Sequence, residues 1–128
     1  MPREYSSSQA LDHEVLYVLM QHVGKDNGIL RQKLVERIYG VVVDDRELYQ
    51  SPYDRGVRAS IERLRHLGYM ICNRGNGDGY YMAASLAEYQ AFRSAYGAHA
   101  FPIMEAIREM DRAASLKWNT DPQQPRMM

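Results

Sequence analysis

Arg55, Arg58, Arg63 and Arg65 fall inside one stretch, Ser51 to Tyr69, that opens on Ser-Pro, closes on Gly68 and runs into a glycine-rich segment, Arg74 to Gly79. A guanidinium group is planar and always charged, and it donates paired hydrogen bonds to guanine O6 and N7 or to a phosphate. Spacing decides whether such groups act together. With Val57 at zero and a step of ~100° per residue, Tyr53, Ile61, Leu64 and Gly68 share a narrow arc, while Arg55, Ala59, Glu62 and His66 point away. Arg58 and Arg65 flank that outward face on one side and Arg63 on the other, with small Ala59 at its middle. A face of this kind can come close to duplex DNA. Arg55 and Arg58, near the helix start, are the expected base readers, and Arg31, Lys33, Arg65 and Arg74 the expected phosphate contacts. Glu62 can accept from a cytosine amino group, but an intrahelical pair with Arg58 or His66 is the simpler expectation.

The segment after this helix adds Arg74 and Asn76 on a loop whose glycines let backbone N–H groups approach a phosphate, or let the arginine enter a minor groove. Asp78 partly opposes this. Between residues 53 and 79 five arginines stand against Asp54, Glu62 and Asp78, a local excess of two positive charges in a chain whose 16 basic and 16 acidic residues cancel. No global positive field therefore holds nucleic acid, and affinity must come from where the charges sit.

Other reactive side chains point to little chemistry. His13, His22, His66 and His99 lack metal-like spacing, and His13 and His22 fall on opposite sides of one helix. The single cysteine, Cys72, rules out an internal disulfide framework, offers no thiolate cluster for zinc and fits a reducing cytoplasm. It reads as a small apolar residue in a strand, so no catalysis, metal or small-molecule cofactor is expected. Nor is a membrane partner, because the apolar clusters are too short to span a bilayer. Tyr80 and Tyr81 alternate faces, so one packs inward while the other could stack on a base or partner, inward packing being the default expectation.

The elements that must position these groups follow from hydrophobic period and punctuation. Leu11, Val15, Leu16, Val18, Leu19 and Val23 mark a first helix stopped at Gly24; Leu34, Val35 and Ile38 mark a second from about Leu30 to Gly40, with Arg31 and Lys33 on its polar side. Val41 to Gln50 is the least legible part, an insertion whose valines favour extended chain. Ser51, Pro52 and Asp54 suit the N-cap, N1 and N3 positions of the arginine helix, read as 52–67. Tyr69 to Asn73 and Tyr80 to Ala83 then read as the two strands of a hairpin spanning 69–83. Ser85 caps a further helix, and a last helix runs from about Phe101 to Leu116. Along it Ile103, Ile107, Met110 and Ala114 follow a four, three, four spacing that suits either packing on the chain itself or the seam of a homodimer.

The order of elements, with Leu64-Arg65-His66-Leu67-Gly68-Tyr69 followed by Gly79-Tyr80-Tyr81-Met82, resembles the winged helix-turn-helix of the biotin-repressor type and of small bacterial or phage regulators. The resemblance covers about Leu11 to Ala83. It implies a mainly α fold with a small β-hairpin, in which the helix before the wing binds operator DNA through Arg55, Arg58, Ala59 and Arg63. The 40–50 link is longer than the tight turn usual in such proteins, and ligand control through a biotin-ligase domain is not implied. The expected organisation is a winged helix-turn-helix at 9–84, C-terminal helices at 85–118 for packing or dimerisation, and a flexible tail at 119–128. The expected function is sequence-specific binding of double-stranded DNA, as a transcriptional regulator or a phage or plasmid replication or accessory factor. The rival expectation is a protein-interaction module, an adaptor or an inhibitor of a host enzyme.

Overall fold

A computed structural model describes residues 1–73, 79–97 and 104–118. Five helices dominate it: α1 (Ser8–Leu19), α2 (Arg31–Tyr39), α3 (Pro52–His66), α4 (Leu86–Gly97) and α5 (Met104–Trp118). Three short strands, β1 (Ile29–Leu30), β2 (Ile71–Asn73) and β3 (Gly79–Met82), form an antiparallel sheet in the order β1-β3-β2. Ile29 lies opposite Tyr80, and Cys72 opposite Tyr81. β1 had no signature in the sequence, because two residues are too few to show a period.

Local chemistry accounts for the frame of α3. The Ser51 hydroxyl accepts from the Tyr53 and Asp54 backbone N–H groups at 3.1 and 3.4 Å, and Pro52 occupies the first turn, where its missing N–H costs nothing. At the other end Gly68 has φ of 98°, with its N–H donating to the Arg65 carbonyl and the Tyr69 N–H to the Leu64 carbonyl. This is the paired C-terminal closure that needs a left-handed residue, a role glycine fills without strain. A Cβ at Gly68 would also lie 3.2 Å from that of Ala113, so the same glycine lets α5 approach.

Two apolar clusters use opposite faces of the sheet. Ile29, Ile71 and Tyr80 join Val15, Leu19, Leu34, Val35, Ile38, Val57, Ile61 and Leu64 in a core shared by α1, α2 and α3. Cys72 and Tyr81 face the other way, into a cluster with Met70 just before β2 and with Tyr89, Phe92, Ala106, Met110 and Ala114 from α4 and α5. Both tyrosines are therefore buried, in line with the default expectation of inward packing, and α4 and α5 cover the face from which one could have stacked on a partner.

Residues 40–50 are less of an insertion than the sequence suggested. Val43 and Leu48 enter the core, the Val43 carbonyl and N–H bond the Gln32 and Glu36 side chains on α2, and Asp45–Gln50 makes a 3₁₀ turn capped by Asp44. The chain before α1 is likewise tied down. Arg3 and Tyr5 donate to carbonyls at the end of α2, and Ser7 caps α1.

Gly56 sits inside α3, where alanine ordinarily adds about 1 kcal/mol. A Cβ there would run into the phenol oxygen of Tyr39, whose ring is wedged between Tyr5 and Tyr53 with centroids 5.7 and 4.9 Å away. Gly56→Ala is therefore expected to lower the urea midpoint, and adding Tyr39→Phe to restore it. A single Gly56→Ala variant more resistant to urea than wild type would show that Tyr39 yields freely.

Candidate nucleic-acid interface

Arginines on α3 divide into those that hold the fold and those that face outward. Arg65 is 4% exposed. Its Nε donates to the Ile71 carbonyl at 2.9 Å and its Nη1 to the Tyr96 hydroxyl at 3.2 Å, while the guanidinium lies over the rings of Phe92 and Tyr96 at 5.3 and 4.7 Å. The expected phosphate contact from Arg65 is thus corrected. Helical spacing set it beside the outward face, but α4 closes over that side and takes the cation into an aromatic slot.

Arg31 is corrected for a parallel reason. At 6% exposure it donates through Nε and Nη2 to the two carboxylate oxygens of Asp54, at 2.6 and 2.7 Å, and the Tyr49 ring covers it at 4.3 Å. Asp54 itself is fully buried. Only a forked cation meeting a planar carboxylate lets a charge at the start of α2 be buried against α3. The hydrogen bond to Asp54, aided by its charge and opposed by burial, raises the Arg31 pKa, so the group stays ionised. Lys33 remains exposed, 3.5 Å from Glu36.

Arg63 is half committed. Its Nε and Nη2 grip Asp12 of α1 at 2.7 to 3.1 Å, and the Ser60 hydroxyl donates to the same carboxylate at 2.6 Å. Burial alone would push Asp12 up, but the hydrogen bonds from Arg63 and Ser60 and the Arg63 charge outweigh it and hold the carboxyl below its usual value. Glu62 pairs within the helix, as expected, though with Arg65 at 3.5 Å and His66 at 3.9 Å and not with Arg58. It also accepts from the Tyr96 hydroxyl.

What remains free is the amino-terminal half of the outward face. Arg55, Arg58 and Ala59 are exposed, and neither the 40–50 segment nor the C-terminal helices bury them. Arg55 forms no ion pair with a described residue; Arg58 donates through Nε to Asp54 at 2.8 Å, with 44% of its side chain exposed. Arg31 and Arg58 against Asp54 leave one positive charge, and Arg55 adds a second. The other half of the face carries no positive excess: Asp12, Glu62, Arg63, His66 and Leu67 line a shallow depression there, two carboxylates against one guanidinium.

Arg74, Asn76 and Ile103 lie outside the described residues. The dimer seam expected from Ile107, Met110 and Ala114 is corrected, because all three are buried within the chain, Met110 and Ala114 against the outer face of the sheet. A seam and a core strip share one spacing, and here the sheet needed the cover. Sequence reasoning missed Asp12 and the pairing role of Asp54; the Asp54-Arg58 separation of four was the one visible hint. The Cys72 thiol is buried, and desolvation pushes its pKa up to about 12, so it stays protonated at neutral pH. Among the described residues no group of three or more His, Cys, Asp or Glu is placed to hold a metal ion, and no helix is long and apolar enough to cross a membrane. No family model, no curated protein and no solved structure matches the chain.

Two outcomes separate the structural from the exposed groups. Arg31→Ala leaves the buried Asp54 carboxylate with only the half-exposed Arg58 and is expected to cost about 3 kcal/mol or more, while Arg58→Ala stays within about 1 kcal/mol; equal losses in urea titrations would erase the distinction. Because folding lowers the Asp12 pKa from 3.8, its stabilisation is complete above that value and is lost as pH falls through the folded pKa. The stability gap between wild type and Asp12→Asn should therefore hold at neutral pH and narrow below about pH 4, and a gap unchanged by acid would contradict the ion pair.

Proposed function

We propose that the chain is a sequence-specific double-stranded DNA-binding protein of winged helix-turn-helix type, a transcriptional regulator or a phage or plasmid replication or accessory factor. The observation that carries this reading is the exposed, doubly positive start of α3, bearing Arg55, Arg58 and Ala59, in a chain whose charges cancel overall. Support also comes from the element order, in which α1, β1, α2 and α3 are followed by the antiparallel β2–β3 pair, so that a helix and a β-ribbon stand side by side. Arginine at the front of such a helix reaches base edges, and Ala59 leaves room for the groove wall. In this reading the protein binds and does not catalyse.

A second reading, an adaptor or enzyme inhibitor, draws on the other half of the same face, where Leu67 is 72% exposed beside Asp12, Glu62 and Arg63. The neutral net charge is no handicap to it.

Binding to a pool of duplex fragments at several salt concentrations separates the two. A DNA binder loses affinity linearly on a log–log plot, with a slope of roughly −0.9 per phosphate neutralised. Arg55→Ala should weaken binding without moving the melting temperature. If no duplex is retained even at low salt, the DNA reading falls and the adaptor stands.

A further inference from the structure

We infer that Arg58 reads a guanine, and that Asp54 and Arg31 are positioning residues that fix its guanidinium plane. The inference rests on the DNA-binding reading and deepens it by naming the base. Asp54 does not need Arg58: Arg31 alone reaches both carboxylate oxygens, at 2.6 and 2.7 Å, from a buried position. Arg58 is thus a surplus cation on a carboxylate already satisfied. The Arg58 side chain is 44% exposed, so water screens the contact that it adds and the contact stabilises little; stability does not explain it.

Geometry offers another account. Arg58 meets Asp54 through Nε alone, at 2.8 Å, and its Nη1 and Nη2 have no partner among the described residues. A guanidinium held at Nε keeps its outer edge free, and that edge is the two-donor fork that matches guanine O6 and N7. Asp54 is immobile because it is fully buried, bonded to Arg31 and seated in the capped first turn of α3. Arg58 therefore presents the fork with less rotamer freedom left to lose on binding. Arg55 has no such anchor and is better suited to a phosphate, which accepts many approach directions. The order of roles on α3 follows: Arg55 holds the backbone and Arg58 selects the base.

The test selects bound fragments from a random duplex pool with the full-length chain, then measures affinity for the selected site and for the same site with that guanine replaced. Wild type should recover an invariant guanine and prefer it by roughly tenfold or more. Arg58→Ala should lose that preference and keep the salt slope. Arg58→Lys is the sharper arm, since lysine carries the charge but has no Nε for Asp54 to hold; it too should lose most of the preference. Selected sites without a fixed guanine, a preference that survives Arg58→Ala, or full preference in Arg58→Lys would each overturn the inference while leaving DNA binding intact. Failure of wild type to bind any duplex would overturn both.

Discussion

The buried pair between Arg31 and Asp54 is the constraint from which the rest of the arrangement follows. It joins the first residue of α2 to the first turn of α3, so it sets how the two helices meet. The 40–50 segment is long because it must travel from the end of α2 back across this pair, dropping Val43 and Leu48 into the core and laying Tyr49 over the Arg31 guanidinium. A buried ion pair is weak evidence for stability, since removing two charges from water costs about as much as their attraction returns. Its value here is directional. Two planar groups bonded edge to edge admit one relative orientation, whereas the surrounding leucines and valines would tolerate several.

A second constraint comes from the double cover on the sheet. Three strands of two to four residues are too short to be stable alone, and they persist because Ile71 and Tyr80 serve one core while Cys72 and Tyr81 serve another. α4 and α5 are therefore part of the same packed unit as α1, α2 and α3, and the strip of Ile107, Met110 and Ala114 is buried within it. The same cover draws Arg65 inward, so the positive part of the outward face of α3 is its front.

α3 was legible in the sequence to within one residue, since its cap, its proline and its closing glycine are local signals, each with a mechanism. The two strands of the β2–β3 pair were legible as β-forming runs. What could not be read were the partnerships between distant residues. Helical periodicity sorts positions into inward and outward, but it cannot tell that an outward arginine will meet a carboxylate 23 residues later, as Arg31 does, or an aromatic slot 31 residues later, as Arg65 does. Arg63 fails in the same way, through Asp12 on α1. Charge at long range is invisible to local pattern, so the arginine face looked richer than it is. Arg55, Arg58 and Ala59 are what remain of it.

The close seat of α5 on Gly68 carries a consequence for biosynthesis. The first core can close as soon as β3 is made, but Met70, Cys72 and Tyr81 stay only partly covered, by Tyr89 and Phe92 of α4, until Met104–Trp118 has left the ribosome. During that interval the nascent chain displays an apolar strand surface of the kind that pairs with its neighbours on a polysome. Translation pausing between α4 and α5 would lengthen the exposure, and holdase chaperones would find their target in the back of the small sheet.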